Sequence, residues 1–363
     1  MRSMKKIAII GLGLIGSSIA HAVRRASLAA EIAGHDASAD VLERAREIGF
    51  CDTLHADAAT AVRDADLVIL CAPVGAYKSI ARAIAPHLKQ GAILSDVGSV
   101  KGAVVRDVGP TVPAGVHFIP AHPIAGTEFS GPEAGFAGLF DGRWAILTPP
   151  SSNRNGGSDP KAVQKLKEFW LALGSQVEVM DSGHHDLVLA ITSHLPHLIA
   201  YNIVGTAHDL EKVTEGEVIK YSASGFRDFT RIAASDPTMW RDVFLNNRDA
   251  VLEVLGRFNE DLSELQRAVR NGDGQTLFDR FTRTRAIRRA IIDIGQDTAA
   301  PNFGRLPFQL YDSPPRKRSA RKKTKAAKRP AKKKSAGKPK KIRKAKKSRG
   351  KPVRGKARRP RGK

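Results

Sequence analysis

Gly11-Leu12-Gly13-Leu14-Ile15-Gly16 directly follows the apolar run KKIAII (5–10) and opens a stretch of helical spacing that runs through Arg25. Twenty residues after Gly16, at the end of a second strand-like run (31–36), stands Asp36. A glycine triplet alone is a weak signal. A strand, a glycine turn, a helix, a second strand and an acidic residue in that order form a strong one, because each part serves the binding of a dinucleotide. Gly11 permits the tight turn, Gly13 lets the backbone approach a pyrophosphate, and Gly16 lets the helix lie close on the strand. The helix N-terminus offers unpaired N–H groups and a positive dipole end to the phosphates. Asp36 can accept hydrogen bonds from both ribose hydroxyls and repels a 2′-phosphate. The predicted cofactor is therefore NAD rather than NADP, held by residues 11–16 and Asp36.

The alternation continues. Runs 67–73, 92–98, 116–122 and 144–149 are strand-like, with amphipathic alanine-rich stretches such as 37–49 and 77–88 between them. This predicts an α/β fold, a Rossmann-type parallel sheet buried on both faces by helices. Ala72-Pro73, ending the fourth strand, would run beside the cofactor. After a loop at 151–160 come a helix (161–173) and a strand (176–180). From Asp181 to about Ile294 no strand is convincing, and Val251, Leu255, Phe258, Leu262 and Leu265 recur at helical spacing. The predicted domains are 1–180, nucleotide-binding, and 181–311, all-helical, followed by a tail from 312 to 363.

The chain carries a net charge of +24, yet 313–363 holds 27 of its 60 Lys and Arg and no acid, so residues 1–312 balance to −3. A nucleic-acid-binding core is not indicated. The tail, dominated by Lys, Arg, Ala, Pro, Ser and Gly, has almost nothing apolar to bury and is predicted to be disordered. It reads either as a solvated arm or as one with nonspecific affinity for DNA or RNA. Only Cys51 and Cys71 occur, which fits a reducing cytoplasm without disulfides. No apolar run approaches the roughly 20 residues of a membrane span, and the N-terminal apolar run is too short for a leader.

Four further segments carry chemistry: Asp96-Val97-Gly98-Ser99-Val100-Lys101, His122-Pro123-Ile124-Ala125-Gly126, Ser193-His194-Leu195-Pro196-His197, and Gly225-Phe226-Arg227-Asp228-Phe229-Thr230-Arg231 with Ser235-Asp236-Pro237-Thr238-Met239-Trp240. The first two end strands, at the rim where ligands of such sheets bind. His122 could be a base, and a planar Arg231 fork suits a carboxylate. Each has a plainer reading. His122 could be a strand-end histidine, Ser99 a helix cap, Arg231 a partner of Asp228, and Trp240 plain core. His184 and His185 read as a helix start exposed to water. His194 and His197 match no metal-ligand pattern, and no metal is expected.

In this order the segments, with the glycine loop, resemble the prephenate/arogenate (cyclohexadienyl) dehydrogenases of tyrosine biosynthesis over about residues 5–294. The resemblance implies a Rossmann domain, a helical dimerisation and substrate domain, a homodimer, and NAD-dependent oxidative decarboxylation of prephenate, with arogenate as the other candidate substrate. It implies that His122 is the catalytic histidine on the ring hydroxyl and that Ser99 orients it beside the nicotinamide. His197 and Arg231 are then substrate ligands, with Asp228 and Trp240 around the cleft. No strands for an added regulatory domain follow Ile294. The alternatives are another Rossmann-plus-helical dehydrogenase, such as a 3-hydroxyacid dehydrogenase, for which the lysine-free stretch 181–208 is a poor match, and a NAD-binding scaffold with a nucleic-acid-binding tail.

Overall fold

Alternate residues of β1 (Met4–Ile10) enter different cores. Ile7 and Ile9 join Leu67, Ile69 and Ile93 on one face. Ala8 and Ile10 join Val68, Leu70 and Leu94 on the other. A strand covered on both faces has no polar side to present, which is why this run is almost continuously apolar. The computed structural model describes residues 4–127, 129–151, 158–211 and 223–293. The fold occupies the first of two compact units, Met1–Arg283; of the second, Thr284–Lys363, the described residues are 284–293. The basic tail lies outside the described residues.

After β1 come α1 (Leu14–Arg25), β2 (Ala29–His35), α2 (Ala39–Ile48), β3 (Thr53–His55), α3 (Ala58–Ala61), β4 (Leu67–Leu70), α4 (Tyr77–Ile84), β5 (Ile93–Asp96), α5 (Lys101–Val108) and β6 (His117–Phe118). The six strands form one parallel sheet in the order β3-β2-β1-β4-β5-β6. The order reverses between β1 and β4, and the crevice outside the carboxyl ends at that reversal is where such sheets bind ligands. The short β3 has no apolar run to betray it.

The run 116–122 is not one strand. The His117 and Ile119 N–H groups bond β5, but the next in that series, the Ala121 N–H, goes to the Asp96 side chain, while the Pro120 carbonyl accepts the Thr148 N–H at 2.9 Å. Beyond Pro120, β7 (Ala121–Pro123) starts a second sheet with β8 (Trp144–Leu147) and, after α6 (Pro160–Ala172), β9 (Gln176–Val179). β7 and β8 are antiparallel. Run 144–149 therefore does not extend the parallel sheet, contrary to the sequence reading, and the expected strand at 176–180 pairs with it in the second sheet.

The rest is helical: α7 (Ser182–Leu189), a π-turn at Ala190–His194, α8 (Leu195–Glu211), α9 (Ser224–Thr230), α10 (Pro237–Asn246), α11 (Arg248–Asn271) and α12 (Gly274–Ile291). Ala190 and Leu195 pack on Val251 and Val254 of α11. By length and composition the run Ser182–Leu210 is apolar enough to cross a membrane, which the sequence reading missed because histidines and polar residues interrupt it. Several of those polar residues, His185, Asp186 and His194, are buried within this fold.

Candidate active site

The glycine loop is built by close approach. Gly11 has φ +104°, and a Cβ there would lie 2.6 Å from the Cys71 carbonyl carbon. A Cβ on Gly16 would lie 2.0 Å from the Gly11 carbonyl oxygen. At Gly13 a Cβ would meet nothing within 4 Å, so open space lies just where α1 begins. No side chain caps that helix end. Leu12 is buried, while Leu14 and Ile15 are half-buried behind it. The Asp36 carboxylate accepts the Leu12 N–H at 2.8 Å and the Ser38 N–H at 2.9 Å, tying the loop to the end of β2. Open space over helix N–H groups, beside an acid ending β2, fits a dinucleotide. At the end of β4, Ala72 is half-buried and Pro73 exposed. The adjoining Gly75 N–H donates to Asp242 of α10 at 3.3 Å, and a Cβ at Gly75 would lie 2.5 Å from the same oxygen.

A buried ion pair sets the next strand end. The Lys101 ammonium donates to Asp96 and, at 2.7 Å, to the Ala121 carbonyl; Asp96 accepts the Gly98 N–H at 2.8 Å and the Ala121 N–H at 3.2 Å. Burial pushes the Asp96 carboxyl up and the Lys101 ammonium down, and each partner opposes the other's shift. The pair fixes Ala121 against β5, and so fixes the next residue, His122.

His122 is buried, and its Nδ1 lies 2.9 Å from Nε2 of His185. Burial, helped by nearby His185, Lys101 and His194, pushes its pKa well below the usual 6.5, so the ring is neutral. His185 Nδ1 in turn lies 2.8 Å from Asp186. Asp186 also accepts the Lys101 and Gly102 N–H groups, at 2.7 and 2.8 Å, and so caps α5 from another element. Val100, not Ser99, stands at the cap position of α5, and its side chain makes no cap bond. Ser99 is half-buried in the β5–α5 loop. Among the described residues no hydrogen bond joins it to His122. Asn247, the residue just before α11, donates to the Asp186 carbonyl at 2.8 Å and approaches His194 Nδ1 at 3.0 Å. Burial brings the His194 pKa down to about 4.

His185 corrects the sequence reading. His184 is exposed, as expected of a helix start, but His185 has no exposed surface. Consecutive helical residues point about 100° apart, and His185 shares its face with buried Leu189 four positions on. That i, i+4 pairing was the available signal.

His197 is half-buried, with Nδ1 2.8 Å from the Ser193 carbonyl and its ring stacked on Trp240. Trp240 also packs with Val100, Ala103 and Val243, so it is core and cleft wall together. Arg231 is close enough to His197 to lower its pKa, adding to burial. Asp228, half-buried on α9, pairs with Arg227 at 3.0 Å. Among the described residues no group of three His, Cys, Asp or Glu is placed to hold a metal.

A doubly wound sheet with a glycine turn at its switch point, and a buried neutral histidine packed under helices, define a nucleotide-binding oxidoreductase. Residues 19–179 match the model of the prephenate dehydrogenase nucleotide-binding domain and 181–283 that of the prephenate dehydrogenase dimerization domain. The chain is 42% identical over 291 residues to the cyclohexadienyl dehydrogenase of Zymomonas mobilis, covering 80% of this chain and 97% of that one. It is 32% identical to the prephenate dehydrogenase of Bacillus subtilis over 86% of this chain and 83% of the other. Aquifex aeolicus prephenate dehydrogenase, solved in complex with hydroxyphenyl propionate and NAD+, superposes with a TM-score of 0.73 at 33% identity, covering 80% of this chain and 99% of that one. The chain belongs to the prephenate dehydrogenase family.

Proposed function

We propose that this protein is an NAD-dependent dehydrogenase that oxidatively decarboxylates prephenate to 4-hydroxyphenylpyruvate, with arogenate as the second substrate to test. The observation that carries the reading is His122, buried, neutral and held by β7 beside the β5–α5 loop at the rim of the nucleotide-binding sheet. Bound NAD supplies the hydride acceptor for ring carbon 4. Gly11, Leu12, Gly13, Leu14, Ile15 and Gly16 seat the pyrophosphate, Asp36 the ribose, and Ala72, Pro73 and Ser99 line the nicotinamide side. His122 takes the ring hydroxyl proton as the hydride departs. Loss of the ring carboxylate as carbon dioxide leaves its electron pair in the ring, which becomes aromatic. His122 then returns the proton to the phenolate oxygen, so no net proton is released. His197 and Arg231 bind the substrate, the guanidinium meeting a carboxylate with two hydrogen bonds. Asp228 and Trp240 shape the wall of the cleft.

In this reading 1–180 is the nucleotide domain and 181–311 the helical one. Two copies pair through the helical layer, covering Leu252, Leu262, Val269, Phe278 and Phe281, all more than half exposed in the single chain. The enzyme works in the cytoplasm, and the basic segment 312–363 holds polyanions without sequence preference. Salt-sensitive retention of DNA by the full chain, absent from a chain ended at Asp312, tests that role.

NADH formation by the purified protein, with prephenate and with arogenate, each with NAD and with NADP, tests the main reading. Turnover with prephenate and NAD is expected, falling about 10²- to 10⁴-fold in kcat for His122→Asn. No NADH with either substrate, or a His122→Asn variant as fast as wild type, removes it.

A further inference from the structure

A general base on His122 needs a free lone pair on the ring nitrogen that meets the substrate, and a neutral imidazole has only one. Which nitrogen keeps it depends on what the other nitrogen touches. The chain behind His122 determines this in three steps. Asp186 accepts two backbone N–H groups from the start of α5, one on each oxygen, at 2.7 and 2.8 Å, and a carboxylate only accepts hydrogen bonds. His185 Nδ1, 2.8 Å from that carboxylate, must therefore carry its proton and donate it. Burial disfavours a second proton on His185, so its Nε2 keeps a lone pair. At 2.9 Å that lone pair accepts the proton of His122 Nδ1. The opposite tautomer of His122 would set two lone pairs against each other at the same distance.

We infer that His185 is a positioning residue for this reaction, which holds His122 in the tautomer whose Nε2 is free to take the substrate proton, with Asp186 holding His185 in turn. The inference rests on His122 being the base. It also accounts for what His185 does as the reaction proceeds. When His122 becomes an imidazolium, its Nδ1–H donates to a lone pair already aimed at it, and nothing need reorient. The rings meet edge to face, with centroids 5.1 Å apart, so packing and hydrogen bond fix the same orientation.

The test compares His185→Leu, which fills the site without an acceptor, with His185→Gln, whose side-chain oxygen reaches the place of Nε2. Both are assayed with prephenate and NAD, and both are checked for NAD binding. His185→Leu is expected to lose about 10- to 100-fold in kcat, the range of one hydrogen bond to a developing charge. Its KM for prephenate and its NAD affinity should stay near wild type. His185→Gln should recover most of the lost rate. The double variant His122→Asn/His185→Leu should be no slower than His122→Asn, because His185 acts through His122. A fast His185→Leu, a His185→Gln that binds NAD yet is as slow as the leucine variant, or losses that multiply in the double variant would each overturn the inference. If His122→Asn turns over normally, it is the general-base reading itself that falls.

Discussion

His197 lies flat against Trp240, with ring centroids 3.7 Å apart and 24° between the planes. The Ser193 carbonyl takes its Nδ1, so stacking and hydrogen bond together leave Nε2 as the nitrogen for a ligand. The two residues come from different helices, α8 and α10, and the stack joins the π-turn region to the segment that follows Arg231. Removing the indole leaves His197 with one restraint. An aromatic pair of this kind contributes about 0.5–1.5 kcal/mol beyond burial. Trp240→Leu should therefore raise KM for prephenate about three- to tenfold with a smaller change in kcat. Steady-state kinetics at saturating NAD measure this, and an unchanged KM would separate the stack from substrate binding.

Asp36 holds the glycine loop by two backbone hydrogen bonds and stands where β2 ends. Its negative charge opposes a ribose phosphate, and Ala37, next in sequence, is exposed and offers no cation. The wild-type protein should prefer NAD to NADP in kcat/KM. Asp36→Ser with Ala37→Arg should shift that preference toward NADP. The shift will come with some loss of stability, since the serine cannot hold both N–H groups as the carboxylate does. Comparable kcat/KM for both cofactors in the wild type would refute the role of Asp36.

Gly11 and Gly16 were legible in the sequence because their constraints are local: a positive φ at one, a helix start against a strand end at the other. The order of motifs marked both ends of the cleft for the same reason. The spacing to Leu189 could mark the buried face of His185 but not its role, because what covers it is α5 and its chemical partner His122 lies 63 positions away. Asp186 likewise caps a helix 85 positions earlier in the chain, and no local pattern announces such a cap. The end of the parallel sheet at Pro120 was hidden inside a run that reads as one strand. Only the proline itself hinted at it, since within sheets proline is confined to edge strands, strand starts and bulges.

The acid side of the pH profile follows from burial of His122. The neutral ring is the form that accepts a proton, and burial with His185, Lys101 and His194 around it lowers its pKa well below 6.5. Protonation, and with it loss of activity, is thereby displaced to lower pH. His197 is lowered as well, by burial and Arg231, so it brings no earlier loss. The kcat/KM for prephenate should stay level as pH falls from neutrality through 6.5 and decline only below it. An acid limb centred at or above 6.5 would mean that His122 is solvated in the working enzyme or is not the base.

Arg231 opens the short turn Arg231–Ala234 that leads into α10, and it lies near enough to His197 to act on its pKa. Prephenate carries two carboxylates, so the cleft needs at least one cation at a fixed place. A charge-assisted hydrogen bond to a carboxylate contributes about 1.5–3 kcal/mol, which corresponds to about one to two decades in affinity. Arg231→Leu should raise KM for prephenate by that factor while kcat changes much less, because the carboxylate is bound alike before and during hydride transfer. Arg231→Lys should recover part of the loss, since it restores the charge without the planar fork. If KM stays within twofold of wild type in the leucine variant, the carboxylate is held elsewhere, and the turn at 231–234 serves only to set the angle between α9 and α10.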